Sequence, residues 1–269
     1  MSDPEPAPEL LAVAREVAQE AAQLVRDRAA AGVSVAATKS SDTDVVTEAD
    51  RAAEALIRER LRLRRPDDAV LGEEGDDVPG TSGVRWIVDP IDGTVNFLYG
   101  LPEFAVSVAA EVDGVVVAGV VRNVATGVEY AAHRTRGGVE ARRDGRPVAV
   151  RPAVPLGQRL VATGFGYDPA LRERQGRAVG RLLPRVRDIR RHGSAALELC
   201  HVAEGTVDAY VEEGVNLWDY AAGALVAEGA GARVAVLPGA SGRSLVVCGG
   251  EAGFEELVDA VEQAGFVAS

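Results

Sequence analysis

The sequence is poor in the residues on which several common kinds of site depend. Its 269 residues include two cysteines and three histidines. Cys200 and Cys248 both lie in apolar runs, which favours buried thiols over a disulfide. His133, His192 and His201 lack the spacing of a zinc site. We therefore expect a cytoplasmic protein whose chemistry depends on neither a disulfide nor zinc.

Other absences exclude further classes of protein. The sequence has no Gly-x-x-x-x-Gly-Lys loop of a P-loop kinase and no Gly-x-Ser-x-Gly motif of a serine hydrolase. The first ten residues are neither basic nor apolar, and no apolar run approaches 18 residues, so we expect no secretory signal and no membrane span. The net charge of −12 argues against a nucleic-acid surface.

The order of predicted helices and strands indicates two joined lobes. Residues 1–155 are predicted to form N-terminal helices and then an antiparallel meander, in which Asp113-Gly114 is a strong hairpin signal. Residues 156–269 alternate strand and helix, which indicates a mixed α/β lobe. The apolar content of 47% is enough for a substantial core.

Local signals set the bounds of several elements. An apolar stripe predicts a helix over Pro8–Ala31, followed by a polar loop over Thr38–Asp44. Thr47, with Asp50 three residues later, predicts a capped second helix that ends near Arg64. The strands predicted for the meander are 104–111, 115–122, 127–133, 138–143 and 147–151.

The nine residues from Trp86 to Thr94, with the sequence WIVDPIDGT, carry the strongest chemical signal. An apolar strand leads directly into Asp89 and Asp92, and Gly93 permits a close approach of main chain to a ligand. A helix that begins near Thr94 would direct free N–H groups at an anion. This combination indicates a magnesium site that handles phosphate esters, although Asp-Pro and Asp-Gly are also ordinary turn formers.

Three further acids occupy similar positions at the ends of predicted elements. Asp50 lies at a helix start, Glu73 follows an apolar strand, and Asp219 precedes an alanine-rich helix, where it could serve as the N-cap. Each has a purely structural explanation when it is taken alone. If they meet Asp89 and Asp92, each pair near 4 Å repels by roughly 1 to 4 kcal/mol, so the cluster would need cations such as Mg²⁺.

The segments that carry these acids also resemble a known family. The chain resembles the inositol monophosphatase-like phosphatases over nearly its whole length. The segments that match are Asp44–Asp50, Gly72–Glu74, Trp86–Phe97 and Trp218-Asp219. The resemblance implies a layered α-β-α-β-α sandwich, a homodimer, and lithium-sensitive, magnesium-dependent hydrolysis of a small phosphate monoester. Inositol 1-phosphate is the expected substrate.

The resemblance also implies a set of metal ligands. Glu73, Asp89 and the main-chain carbonyl of Ile91 would bind one Mg²⁺. Asp89, Asp92 and Asp219 would bind a second Mg²⁺, with Asp89 bridging the two ions. Glu73 would also contact a third, weakly held ion and so contribute to catalysis.

Catalytic and substrate residues follow from the same resemblance. Asp50 and Thr94 would orient and deprotonate the attacking water, while the amides of Gly93 and Thr94 hold phosphate oxygens. Asp92 and Asp219 would also face the substrate. The remaining substrate contacts would come from Gly193, Ser194, Ala195 and Glu212, and Arg190 could close over the pocket.

Two alternative functions stay open at this point. The substrate could be another small ester, such as histidinol phosphate, fructose 1,6-bisphosphate or 3′-phosphoadenosine 5′-phosphate. The chain could instead act as a regulatory partner of another protein. Five placed carboxylates argue against a purely binding role.

Overall fold

The computed structural model describes residues 6–31, 35–38 and 45–267. Helix α1 (Pro6–Ala31) and helix α2 (Glu48–Arg64) are joined through two short paired strands, β1 (Val35–Thr38) and β2 (Val45–Thr47). Both helices confirm the sequence prediction. The loop expected over Thr38–Asp44, with Lys39, lies outside the described residues from position 39 onward.

The first sheet has seven strands in the described part of the chain, and their spatial order follows the sequence. The first pair is parallel and every later pair is antiparallel, which confirms the predicted meander. Asp113 and Gly114 have φ angles of 50° and 81°, as a two-residue hairpin turn requires. The strands are β3 (Ala69–Gly72), β4 (Val84–Asp92), β5 (Ala105–Val112), β6 (Val115–Asn123), β7 (Glu129–Thr135), β8 (Gly138–Arg143) and β9 (Arg146–Pro147).

The last strand predicted for this sheet, over 147–151, is wrong. The strand pairing ends at Pro147, and it is followed by one longer bond in which the N–H of Val148 donates to the carbonyl of Ala141 at 3.4 Å. The chain then turns away, and the N–H of Val150 donates to the carbonyl of Ala230, 3.0 Å away.

The second sheet is mixed and, among the residues that the structure describes, has five strands in the order β11-β10-β12-β14-β13. The first three strands are parallel, and the other pairs are antiparallel. Its strands are β10 (Leu160–Thr163), β11 (Asp188–Arg190), β12 (Ala209–Glu213), β13 (Ala232–Pro238) and β14 (Ser244–Gly250). The remaining helices are α3 (Thr94–Tyr99), α4 (Pro169–Leu182), α5 (Ala195–Glu204), α6 (Leu217–Gly229) and α7 (Phe254–Ala264).

The elements stack in five layers, which confirms the α-β-α-β-α sandwich. Helices α1 and α2 cover the outer face of the first sheet, and α4 and α7 cover the outer face of the second. Helices α5 and α6 lie between the sheets, and Gly119 of β6 approaches Ala222 of α6 so closely that a Cβ would lie 3.0 Å from its Cα. This middle core contains residues of both sheets. The division of the chain into two lobes at residue 155 therefore stays a prediction. In the described ranges, none of the helices is both long and apolar enough to traverse a lipid bilayer.

Candidate active site

A cavity of about 420 Å³ opens where the ends of β3, β4, α5, β12 and α6 meet. The predicted site residues that line it are Glu73, Asp89, Ile91, Asp92, Gly93, Thr94, Gly193, Ala195, Glu212 and Asp219. Asp50 and Ser194 complete the predicted set, and each is hydrogen-bonded to a lining residue, Asp50 to Thr94 and Ser194 to Asp92. The fold therefore brings the whole set together from distant parts of the sequence.

A β-bulge places two of the acids on the same side of β4. Asp89 pairs with Ser107 and Asp92 pairs with Ala105, so β4 has one more residue in this interval than β5. Side chains alternate along a strand, and residues three apart would normally point to opposite faces. The extra residue restores the same face. Oxygen atoms of Asp89, Asp92 and Asp219 consequently lie within 4.8 Å of one another.

Asp219 joins this cluster from the first turn of α6, but it is not the N-cap that the sequence suggested. Asn216 has the extended backbone of a cap, and Asp219 is the third helical residue. Its Oδ2 accepts the N–H of Asn216 at 2.5 Å. The helix begins at Leu217, two residues earlier than predicted, so the Asp219 carboxylate completes the capping box of α6 and also lines the cavity.

The carboxylates of the cluster are electrostatically unfavourable when all are charged. Burial raises the pKa of Asp89 well above its ordinary value, and the charges of Glu73, Asp92 and Asp219 raise it further. Burial likewise raises the pKa of Asp219, and it raises the pKa of Asp92 to about 6. Several buried oxygen donors that resist ionisation together are suited to a hard divalent cation such as Mg²⁺.

The main-chain carbonyl of Ile91 fits the same donor set. Its oxygen lies 3.0 Å from the hydroxyl of Thr94, and a carbonyl oxygen keeps a second lone pair for another partner. The residues present therefore match the chemistry of the ligands that the sequence implied.

We expect the free energy of unfolding to fall as pH rises when divalent cations are absent, and we expect bound Mg²⁺ to oppose this fall. An unfolded aspartate ionises near 3.8, whereas Asp92 in the fold ionises near 6. The unfolded chain therefore loses this proton first, and the free energy of unfolding falls as pH rises through this window. Thermal unfolding with and without Mg²⁺ at constant ionic strength should show a rise of several degrees in Tm at pH 7.5 and a smaller rise at pH 5. Equal shifts at both pH values would contradict this electrostatic account.

The capping box of α2 fixes Asp50 beside the cluster. Oδ2 of Asp50 accepts the N–H of Thr47 at 2.8 Å and a short bond from the Thr47 hydroxyl. Oδ1 is left to face the hydroxyl of Thr94 at 3.1 Å. Burial raises the pKa of Asp50, although these hydrogen bonds oppose the rise. Asp50 is thus a rigidly held carboxylate that can accept a proton through Thr94.

The N-cap of α3 is a glycine, Gly93, because no other residue fits there. Gly93 has φ +93°, and a Cβ there would lie 2.8 Å from the carbonyl oxygen of Glu103. Two positions into the helix, the amide of Asn96 donates to the carbonyls of Glu103 and His192 at 2.6 and 2.7 Å. These contacts tie α3 to the loop that carries Gly193.

The start of α5 holds one oxygen of Asp92. The hydroxyl of Ser194 and the N–H of Ala196 donate to Oδ2 at 2.5 and 2.7 Å. Ser194 is also the N-cap of α5, so the helix and the acid share one anchor. This arrangement leaves Oδ1 of Asp92 free of these donors.

Glu212 lies at the end of β12 on another wall of the cavity. Burial raises its pKa to about 7, while a hydrogen bond from Tyr210 and the charge of Arg191 act against the rise. The Tyr210 hydroxyl donates to Oε2 at 2.8 Å. A Cβ at Gly164 would lie 1.9 Å from the same oxygen, so Gly164 makes the space for this carboxylate.

Part of the cavity wall consists of residues that were not predicted from the sequence. Arg190, expected to close over the pocket, instead pairs with Asp188 at 2.6 Å, and its neighbour Arg191 lines the cavity. Because the segment is rich in arginine, the sequence does not show which of these two arginines faces the cavity. Further lining residues that were not predicted include Phe165, Gly166, Tyr167, Trp218 and Arg243. The glycines on either side of Phe165, at positions 164 and 166, are the sequence feature that could have indicated a turn at that wall.

Comparisons with known proteins agree with this geometry. The sequence profile of the inositol monophosphatase family matches residues 7–264. Inositol-1-monophosphatase SuhB of Mycobacterium tuberculosis is 47% identical over 97% of this chain and 96% of its own length. A solved structure of Mycobacterium tuberculosis SuhB superposes with a TM-score of 0.80 at 40% identity, covering 97% of this chain and 98% of that one. Nus factor SuhB of Escherichia coli K12 is 35% identical over 86% of both chains.

Proposed function

Because the chain belongs to the inositol monophosphatase family, and is therefore a phosphoric monoester hydrolase, we propose that it releases phosphate from inositol 1-phosphate in a magnesium-dependent reaction. The observation that carries the proposal is the convergence of Asp89, Asp92 and Asp219, whose oxygens lie within 4.8 Å of one another. A relative named for this activity, 47% identical over nearly the full length, supports the choice of substrate.

The acidic cluster supports a site for two Mg²⁺ ions. Glu73, Asp89 and the Ile91 carbonyl would hold one ion, and Asp89, Asp92 and Asp219 the other, with a third ion weakly held beside Glu73. When bound, such cations lower the pKa of a bound water and neutralise charge on the departing oxygen. A lithium ion competing for the second position would inhibit the reaction.

Asp50 and Thr94 are proposed to prepare the attacking water. The water donates a hydrogen bond to the Thr94 hydroxyl, whose single hydrogen can turn from the carbonyl of Ile91, 3.0 Å away, to Oδ1 of Asp50, 3.1 Å away. As the water oxygen attacks phosphorus, its proton passes to the Thr94 oxygen and the Thr94 hydrogen passes to Oδ1 of Asp50. The bond between phosphorus and the ester oxygen breaks, and the departing oxygen takes a proton from solvent and leaves as the alcohol. The amides of Gly93 and Thr94 would hold phosphate oxygens during the in-line displacement.

The opposite wall is proposed to recognise the alcohol part of the substrate. Glu212 can accept hydrogen bonds from ring hydroxyls, and burial within a polar pocket makes such bonds selective. Gly193, Ser194 and Ala195 would border the ester oxygen, since the first and last of them line the cavity and Ser194 anchors Asp92.

A phosphate-release panel tests the substrate proposal. It compares inositol 1-phosphate, histidinol phosphate, fructose 1,6-bisphosphate and 3′-phosphoadenosine 5′-phosphate at saturating Mg²⁺. We expect kcat/KM to be at least roughly tenfold higher for inositol 1-phosphate, equivalent to about 1.4 kcal/mol of transition-state discrimination. A clear preference for any of the other three would overturn the substrate and leave the hydrolase chemistry standing.

We also propose that the enzyme is a cytoplasmic homodimer. Tyr99 and Leu101 are 76% and 52% exposed at the end of α3, and neighbouring apolar side chains of this kind favour association. Light scattering on the purified protein would show twice the chain mass, and a monomer at micromolar concentration would refute the dimer.

A binding role is the second candidate, because one relative is named a Nus factor. The two roles separate through Asp92→Asn, which should remove hydrolysis. A binding function that survives this substitution would show that the chain has both roles.

A further inference from the structure

One face of α2 carries three charged residues at helical spacing, Asp50, Glu54 and Arg58. Residues four apart lie above one another on a helix, so all three lie on the same side of α2. Asp50 contacts Thr94. We propose that Glu54, with Arg58 as its partner, is a positioning residue that holds the turn after β3 and thereby sets the place of the Glu73 carboxylate. This inference rests on the proposed role of Glu73 as a metal ligand.

Direct bonds connect the two residues to this turn. Glu54 is only 2% exposed, and its Oε2 accepts the N–H of Glu74 at 2.7 Å. Its Oε1 accepts Nε of Arg58 at 2.7 Å. Arg58 in turn donates from Nη1 to the carbonyl of Asp76 at 3.0 Å. The backbone is thus held at Glu74 and at Asp76, one and three residues beyond Glu73.

The glycines of the turn show that it is closed around this ion pair. A Cβ at Gly72 would lie 2.6 Å from Oε1 of Glu54 and 2.7 Å from Nη2 of Arg58. A Cβ at Gly75 would lie 2.9 and 3.1 Å from the same atoms. Neither glycine has a positive φ, so the space occupied by the ion pair, rather than backbone conformation, requires them.

The consequence for the site is specific to metal binding. The Glu54 carboxylate accepts hydrogen bonds from Arg58 and from the N–H of Glu74, and the second bond connects it to the backbone beside Glu73, which lines the cavity. Groups that orient a metal ligand typically change metal affinity by 10- to 100-fold when they are removed. Loss of Glu54 should therefore weaken Mg²⁺ binding and leave binding of the ester unchanged.

The experiment measures Mg²⁺ binding to the full chain by calorimetry without substrate, together with the Mg²⁺ dependence of phosphate release. Glu54→Ala should weaken Mg²⁺ affinity about tenfold or more, with kcat and KM for the ester within about twofold at saturating Mg²⁺. Glu54→Gln keeps an acceptor for the Glu74 N–H and should recover most of the affinity.

Gly72→Ala tests the contact between the turn and Glu54 by changing the turn instead of the helix. It replaces Glu54→Ala as the test if that variant does not fold. The added methyl must push aside the ends of Glu54 and Arg58, so this variant should also lose Mg²⁺ affinity. In the double variant, which combines Glu54→Ala with Gly72→Ala, the methyl added at position 72 occupies space that the shortened side chain at position 54 has vacated. The two losses should therefore be markedly less than additive.

Asp68→Asn is the matched control. Asp68 is also a buried carboxylate beside an arginine, paired with Arg65 at 2.9 Å, and it accepts Nε1 of Trp86 at the other end of β4. Its replacement should lower Tm without changing Mg²⁺ affinity.

Unchanged Mg²⁺ affinity in Glu54→Ala, a loss of kcat that saturating Mg²⁺ does not restore, or fully additive losses would each overturn the inference. Failure of the proposed function is a different result. In that case the unsubstituted protein itself would neither bind Mg²⁺ nor release phosphate.

Discussion

Replacing Asp92 with asparagine is expected to lower magnesium-dependent kcat by about a thousandfold or more, equivalent to about 4 kcal/mol of activation free energy. The substitution keeps the shape of the side chain but removes its charge. The amide oxygen must accept from Ser194 and Ala196, which bind Oδ2 at 2.5 and 2.7 Å. The NH₂ group then takes the place of Oδ1, and a donor cannot be a cation ligand.

The same substitution should not unfold the protein. Because burial raises the pKa of Asp92, ionising it costs stability in the absence of divalent cations. Asp92→Asn should therefore melt at or above the temperature of the parent without Mg²⁺ at pH 7.5, and it should gain less from added Mg²⁺. Phosphate release and thermal unfolding, with Asp68→Asn as control, check both parts. Retained turnover would refute the assignment of Asp92 to the metal site.

Replacing Thr94 with valine is expected to lower kcat by about a hundredfold or more, the range for losing a group that orients and transfers a proton. Valine has nearly the same shape but cannot donate to Oδ1 of Asp50, which accepts the Thr94 hydroxyl at 3.1 Å. Mg²⁺ affinity and KM should change little, because the hydroxyl is not among the proposed metal ligands. Steady-state kinetics at saturating Mg²⁺ measures the effect.

Thr94→Ser is the matched control, since it keeps the hydroxyl and should retain most of the activity. Asp50→Asn should lose about as much activity as Thr94→Val, and the double variant should lose little more, because the two residues act as one unit. Additive losses, or a valine variant as active as the parent, would contradict the proposed proton path.

The sequence predicted which acids lie at the cavity better than it predicted how they meet. The apolar run before Asp89 correctly indicated a buried strand that leads to the site. The β-bulge that turns Asp89 and Asp92 to the same face depends on the register with β5, which no local pattern reveals. Asp219 was expected to be the N-cap of α6, but the N-cap in the structure is Asn216.

The supporting residues were not predictable for a related reason. Glu54 appears in the sequence as an ordinary helix acid, and Gly164 as one of 30 glycines. Their importance comes from contacts with partners 20 and 48 residues away, Glu74 and Glu212. Long-range packing of this kind leaves no periodic signal, whereas the layered fold does, through its apolar stripes and alternating strands.

The most direct test of the account is crystallographic. Crystals grown with Mn²⁺, which shares the oxygen preference of Mg²⁺ and scatters anomalously, would show where divalent cations bind. We predict an anomalous peak bound by the carboxylates of Asp89, Asp92 and Asp219. Anomalous density located elsewhere, with no peak between these three side chains, would contradict the claim that distant segments fold together to form a cation site.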